Sequence, residues 1–336
     1  MNKFDFSQNI VLQKADKKFT IPRVLAGPME GIMDDAFCKT LNQLKLIEHW
    51  FTPFINVNNT VPSNRYLRQF LADFVSENTP YSAITVQLLG NDATNLAKTA
   101  ERLILLGVAG INFNVGCPSL RVIKSNNGSG LLKKENLVLL KQIHDNLANI
   151  CASQVPYSIK MRTGYDSGSE QKIILNELFS INDNIDYVVM HYRTATEAYR
   201  PQALSVALER LQLTRQLCAN IPLVINGDIT SNESAQKFIN QTTADGVMVA
   251  RELVKNPFII AQLRNHNFNK KVSMEQFLQV FISYLKLNGN NEIITSRIIE
   301  LVRFCCGTNS DQFKKVKNFS RHENINFVRD VVNRIF

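Results

Sequence analysis

Between Arg23 and Ala250 the chain alternates, eight times over, between a short apolar segment and a stretch of helical periodicity. The segments are Arg23–Ala26, Trp50–Thr52, Ala83–Leu88, Gly110–Asn114, Tyr157–Met161, Tyr187–His191, Leu223–Asn226 and Gly246–Ala250, and most are rich in β-branched residues. Strand–helix alternation forces the strands into a parallel sheet with helices on its faces. Eight such units in about 230 residues match a closed (β/α)8 TIM barrel better than an open doubly wound sheet. No Gly-x-Gly-x-x-Gly follows the first segment, which weighs against the open sheet. Ala93–Leu106 is typical of the intervening stretches. Leu96, Ala100, Leu103 and Ile104 make one apolar face, Asp92 is a candidate N-cap and Gly107 a stop signal.

The strand signal ends near residue 261. We therefore expect a catalytic barrel over 1–261, preceded by a polar extension or edge hairpin over 1–20, and a helical domain over 262–336. Ser273-x-x-Gln276 is a capping box ahead of the apolar stripe Phe277, Val280, Phe281, Tyr284 and Leu285, with Gly289 closing that helix. A second stripe runs through Ile294, Ile298, Leu301 and Val302 to Gly307. Gln312–Val316 and Phe327–Ile335 read as further helices. The whole chain carries +9, and residues 262–336 carry twelve Lys and Arg against six Asp and Glu. A basic C-terminal quarter on a nearly neutral body suits a polyanionic partner, although a solvated lysine-rich face has the same composition. Lys314, Lys315, Lys317 and Arg321 are its densest cluster.

No apolar run reaches the roughly 20 residues that span a bilayer, and the N-terminus lacks the apolar core of a signal peptide. The six cysteines form no Cys-x-x-Cys pair, so neither a zinc site nor any other metal is expected. A chain of this kind is expected in the cytoplasm, reduced, and as a monomer.

Every candidate strand but the second ends in something polar or conformationally special: Gly27-Pro28-Met29-Glu30, Gln87, Asn114, Lys160 with Arg162, His191 with Arg193, Asn226-Gly227-Asp228 and Ala250-Arg251. Barrels carry their chemistry at these ends. A lysine closing a run as apolar as Tyr157-Ser158-Ile159 needs a polar or anionic partner once buried. Asn226-Gly227-Asp228 and Ala250-Arg251 follow strands seven and eight, where barrels hold phosphate. Gly227 lets backbone N–H groups approach it and Arg251 supplies charge. Cys117 lies between Gly116 and Pro118, which keep it out of helix and paired strand and put it on a loop. On its own it reads equally as a small buried hydrophobe. The following Ser125-Asn126-Asn127-Gly128-Ser129-Gly130 has the composition of a flexible segment able to open and close over a substrate.

Taken together these motifs resemble the tRNA-dihydrouridine synthases over essentially the whole length. The matching runs are Leu25-Ala26-Gly27-Pro28-Met29-Glu30-Gly31, Gln87-Leu88-Leu89-Gly90, Asn114-x-x-Cys117-Pro118-Ser119, Lys160-Met161-Arg162-Thr163-Gly164, His191-x-Arg193-Thr194, Asn226-Gly227-Asp228-Ile229 and Ala250-Arg251. The resemblance implies an FMN at the barrel mouth, reduced by NADPH, and a tRNA substrate. It implies that Pro28, Met29 and Glu30 line the isoalloxazine. Gln87, Lys160 and His191 would bond its polar edge and ribityl chain, while Asn226, Gly227, Asp228, Ala250 and Arg251 hold ribityl and phosphate. Cys117 matches the catalytic acid, and Asn114 and Arg162 match contacts to the flipped-out uracil. Reduced flavin would give hydride to C6 and the thiol a proton to C5, with the basic helices gripping the tRNA backbone. Gly27 stands where the family usually has Ala, Tyr192 where it often has Gly, and Ala250 where Gly is usual. The details around Met29 and Cys117 are most similar to the bacterial branch acting on position 16 of the D-loop. Two other functions fit parts of the sequence. An FMN barrel acting on a free pyrimidine needs no basic helical region, and a tRNA-binding protein without catalysis needs no Cys117, Lys160 or His191.

Overall fold

A computed structural model gives the architecture. It describes residues 4–314 except 15, 32, 78, 180–184, 219, 265–271, 289–290, 307–309 and 312. Eight parallel strands form the barrel: β1 (Val24–Ala26), β2 (Trp50–Phe51), β3 (Ile84–Leu89), β4 (Gly110–Val115), β5 (Tyr157–Arg162), β6 (Tyr187–His191), β7 (Leu223–Asn226) and β8 (Gly246–Val249). Each pairs with the next from β2 to β8, and β8 returns to β1 through Val247↔Val24 and Val249↔Ala26. The seam between β1 and β2 has no ladder among the described residues, so the barrel is nearly closed. Helices fill the crossovers, as a parallel sheet requires. The Ala93–Leu105 helix is one. The Asp92 side chain accepts from the Asn95 N–H at 2.8 Å, Leu96, Ala100 and Leu103 are buried, and Gly107 takes φ +86° just past its end.

Strand side chains alternate in and out, and the inward set divides into two halves. At the end where strands begin, Leu25, Phe51, Tyr187, Val189, Val224 and Met248 form an apolar cluster. Ile10, Leu12 and Ile21 of the antiparallel hairpin Asn9–Lys14/Lys17–Pro22 join it and close that end. Each such buried side chain contributes about 1.5–3 kcal/mol. The hairpin is also tied by Lys14 Nζ to Asp186 Oδ2 at 2.6 Å, on a carboxylate that accepts the Tyr157 N–H. Towards the other end, β3, β4 and β5 turn Gln87, Asn112, Asn114 and Ser158 inward, and hydrogen bonds link all four.

After the barrel come the helices Met274–Asn288 and Asn291–Cys306. The capping box is present, with the Ser273 N–H on Gln276 Oε1 at 2.9 Å and the Gln276 N–H on Ser273 Oγ at 3.2 Å. Phe277 packs edge-on against Phe37 and Phe258, and Phe277, Phe281, Ile298 and Val302 belong to the same continuous core as the barrel helices. Asp34 serves twice at this junction. It caps the Asp35–Gln43 helix through the Phe37 N–H, and it pairs with Arg297 at 2.5 Å. Lys314 is helical and exposed. Lys315, Lys317, Arg321 and the expected Phe327–Ile335 helix lie outside the described residues.

Candidate active site

The strands' C-terminal ends open into a cavity of about 720 Å³. Pro28, Met29, Glu30, Gln87, Asn114, Cys117, Lys160, Arg162, His191, Asn226, Gly227, Asp228, Ala250 and Arg251 all line it. The register brings them together: Asn114 lies opposite Lys160, Arg162 opposite His191, and His191 opposite Asn226.

The Cys117 loop is pinned from three directions. Asn114 Oδ1 accepts both the Gly116 and the Cys117 N–H, at 3.0 and 2.9 Å. Arg162 Nε donates to the Gly116 carbonyl at 2.8 Å. Ser129 donates to the Cys117 carbonyl twice, from Oγ at 2.7 Å and from its own N–H at 3.2 Å. The thiol is partly buried, and that burial, aided by Glu30 and opposed by a Ser119 N–H bond and the Lys160 and Arg162 charges, raises its pKa. It is therefore a protonated thiol at neutral pH.

Most of the segment expected to be flexible is buried. Asn127 and the whole 3-10 turn Gly128–Leu132 are buried, and only Ser125 and Asn126 of that stretch are exposed. Gly128 sits at φ +54° with room for no Cβ, which would fall 3.1 Å from Cys117 Cβ and 2.8 Å from Val122. The Gly-Ser-Gly composition that suggested a lid is there because the backbone passes directly under Cys117. This segment is a buttress.

Cations dominate the rest. The Lys160 ammonium has no hydrogen bond or ion pair among the described residues, and burial, with Arg162 nearby, lowers its pKa to about 8. Arg162 is buried and donates to three backbone carbonyls, of Gly116, Thr194 and Ala198, without a carboxylate partner among the described residues. Burial and the charges of Arg162, Lys160, Arg193 and Arg251 hold His191 well below its ordinary pKa, so the ring is neutral. Its Nδ1 accepts the Arg193 N–H at 3.4 Å, which assigns the ring proton to Nε2. Unpaired, desolvated cations beside a neutral imidazole fit a ligand with anionic and hydrogen-bond-accepting edges, as FMN has. Lys160, Gln87, Arg251 and the Asn226–Asp228 turn are the groups that could hold it.

Some residues gain roles that the sequence did not reveal. Asp228, in the left-handed region at φ +49°, spends both carboxylate oxygens on protein: Arg193 bridges the two at 3.2 and 2.6 Å, Tyr192 Oη donates at 2.5 Å, and Arg251 reaches it at 3.3 Å. It therefore aims Arg251 from behind. Tyr192 packs directly over Gly227, where a Cβ would lie 2.7 Å from its ring. Tyr199, more than half exposed, stacks at the cavity rim against the guanidinium groups of Arg162 and Arg251, at 5.4 and 5.0 Å. No local pattern marks a lone tyrosine in a loop, and Ser129 and Asn112 are equally silent in sequence. Among the described residues no group of His, Cys, Asp and Glu could hold a metal, and no helix is long and apolar enough to cross a membrane.

The dihydrouridine synthase family model matches residues 24–325. The tRNA-dihydrouridine(16) synthase of Haemophilus ducreyi is 30% identical over 286 residues, 81% of this chain and 82% of that one. The tRNA-dihydrouridine synthase B of Pseudomonas aeruginosa is 31% identical over 252 residues, 74% and 71% of the two chains. Among solved structures, 2-naphthoyl-CoA reductase aligns with a TM-score of 0.62 at 9% identity, covering 83% of this chain and 55% of that one. Histamine dehydrogenase from Rhizobium sp. 4-9 aligns at 0.57 and 12%, covering 86% and 50%. Those two share the barrel fold. With a family model spanning nearly the whole sequence and relatives at this identity over most of both chains, the protein belongs to the dihydrouridine synthase family.

Proposed function

We propose that this protein reduces a uridine of tRNA to 5,6-dihydrouridine in the cytoplasm, using a non-covalently bound FMN that NADPH reduces, and that Cys117 is the proton donor. The observation that carries the reading is one cavity holding both an unpaired, desolvated Lys160 ammonium and a protonated thiol on a pinned loop. When bound, reduced FMN supplies a hydride to C6 of the uracil. The chain's own residues do the rest. Lys160 offsets negative charge at the ring's polar edge. Arg251, aimed by Asp228, and the Asn226-Gly227 turn receive ribityl and phosphate. Arg162 and Asn114 meet the flipped-out base. Cys117 gives its proton to C5 and leaves as thiolate, to be reprotonated from solvent. Relatives named for position 16 favour that uridine of the D-loop.

The test is purification with added FMN, anaerobic titration with NADPH, and turnover on tRNA lacking dihydrouridine, with the modified position mapped by mass spectrometry. We expect about one FMN per chain, bleaching by NADPH, and dihydrouridine at position 16. A folded protein that takes up no FMN overturns the reading. Reduction of free uracil but not of tRNA would move the assignment to a free-pyrimidine enzyme.

A further inference from the structure

Asn114 is an amide whose orientation is dictated. Its Oδ1 accepts two backbone N–H groups, so its Nδ2 must face the other way, and it donates to Gln87 Oε1 at 2.7 Å. Gln87 is thereby fixed too: its Nε2 donates to Asn112 Oδ1 at 2.7 Å. Asn112 in turn donates from Nδ2 to Ser158 Oγ at 2.8 Å. The donor-to-acceptor direction runs unbroken from the Cys117 N–H down to Ser158, in the barrel interior, through side chains on β3, β4 and β5 that are all buried. Flipping Gln87 sets N–H against N–H at Asn114 and oxygen against oxygen at Asn112, and flipping Asn114 sets its Nδ2 against two backbone N–H groups. In a buried network each mismatch costs on the order of 1–3 kcal/mol. Ser129 completes the restraint on the opposite side of Cys117, at its carbonyl.

We propose that Asn112 and Ser129, neither of which lines the cavity, are positioning residues for Cys117. Asn112 anchors the far end of the amide chain, accepting from the Gln87 that in turn accepts from Asn114, and so holds in place the Asn114 that receives the Cys117 N–H; Ser129 holds the Cys117 carbonyl. The inference rests on Cys117 being the proton donor only for its effect on turnover; the positioning itself can be read without catalysis. A second consequence follows from the same direction of bonding. Gln87 and Asn114, both of which line the cavity, each keep one N–H that no hydrogen bond among the described residues uses.

The experiment compares Asn112→Leu, Asn112→Asp and Ser129→Ala with the parent, using the full chain as purified. Iodoacetamide labelling of Cys117 is followed by peptide mass spectrometry, with the buried Cys38, Cys151 and Cys218 as internal references. Asn112→Leu removes the acceptor that anchors Gln87 Nε2, so Cys117 labelling should rise about tenfold while the reference cysteines stay slow, as loss of one or two net hydrogen bonds implies. Asn112→Asp keeps an acceptor for Gln87 Nε2 and should restore labelling to within about threefold of the parent. Ser129→Ala should raise labelling severalfold in the same selective way. On tRNA, Asn112→Leu should lose roughly 10- to 100-fold in kcat with KM unchanged. Labelling of Cys117 at the parent rate in both Asn112→Leu and Ser129→Ala overturns the proposal. So does a parallel rise at all four cysteines, or failure of Asn112→Asp to restore. If Asn112→Leu does not fold, Ser129→Ala and Asn112→Asp decide alone. A parent enzyme that forms no dihydrouridine refutes the function reading and leaves the labelling result standing.

Discussion

At the scale of single residues, the cavity holds a Lys160 ammonium with no ion pair among the described residues and a Cys117 thiol that stays protonated at neutral pH. Cys117 has its pKa raised chiefly by burial, which suits a group that must arrive with its proton. Cys117→Ala should therefore retain FMN and its reduction by NADPH while losing roughly 10²- to 10⁴-fold in reoxidation by tRNA. Stopped-flow separation of the two half-reactions checks this, and a normal reoxidation rate in the variant removes the cysteine from the chemistry. Lys160 makes a separate demand. Its pKa in the free protein is lowered to about 8, and an electron-rich ligand edge beside it must raise that value in the complex. FMN affinity should accordingly be level between about pH 7 and about pH 8, above the titration of the phosphate itself, and weaken at higher pH as binding comes to require proton uptake. Lys160→Met should bind FMN more weakly and without that alkaline limb. Fluorescence titration of FMN from about pH 6 to about pH 10 reads both, and a limb that survives in the variant assigns it to another group.

At the scale of elements, the strands and the ends they present were legible in the sequence. All eight strands fall within a residue or so of the apolar segments, because a buried parallel strand is predominantly apolar, its few inward polar residues such as Asn112 and Ser158 being paired with one another. The capping box at Ser273 was equally readable, being a local arrangement of four residues. What stayed hidden depends on segments that meet only in three dimensions. Gly128-Ser129-Gly130 has linker composition, and only the packed structure reveals that it lies against Cys117. Asn112 sits one inward position before Asn114 on β4, and nothing local tells it from a satisfied core amide. Gly27 and Ala250 are another such pair. A Cβ on Gly27 would lie 2.9 Å from that of Ala250. The two positions share one space where β1 and β8 end. Gly27→Ala alone should cost about 1–3 kcal/mol from overpacking and weaken FMN binding by displacing the Ala250–Arg251 turn. Gly27→Ala with Ala250→Gly should recover most of both, with a coupling of about 0.5–3 kcal/mol. Thermal unfolding of the two single variants and the double one measures it, and simple additivity would mean that the two side chains do not compete for one space.

At the scale of the whole molecule, a cavity of about 720 Å³ at one end of a barrel cannot by itself hold a folded RNA, which needs a surface as well. The helices after the barrel are built to stay in place. Phe277 is wedged among Phe37, Phe258 and Phe281, and Asp34 both caps a barrel helix and pairs with Arg297. The C-terminal quarter bears most of the net positive charge, twelve basic residues against six acidic. Lys314 is exposed, and its pairing with Asp311 at 3.3 Å is between two solvated groups, so a phosphate could replace that partner at little cost. Lys315, Lys317 and Arg321 follow within seven residues in the sequence. If these residues grip the tRNA backbone while the barrel does the chemistry, then changing Lys314, Lys315 and Lys317 together to Glu should weaken tRNA binding strongly. The slope of log affinity against log salt should also flatten by about 0.7–0.9 for each phosphate that the chain no longer neutralises. FMN content and NADPH oxidation, which belong to the barrel mouth, should not change. Filter binding across a salt series decides the matter, since an unaltered slope and affinity in the triple variant would mean that the cluster is a solvated face and that the tRNA is held elsewhere.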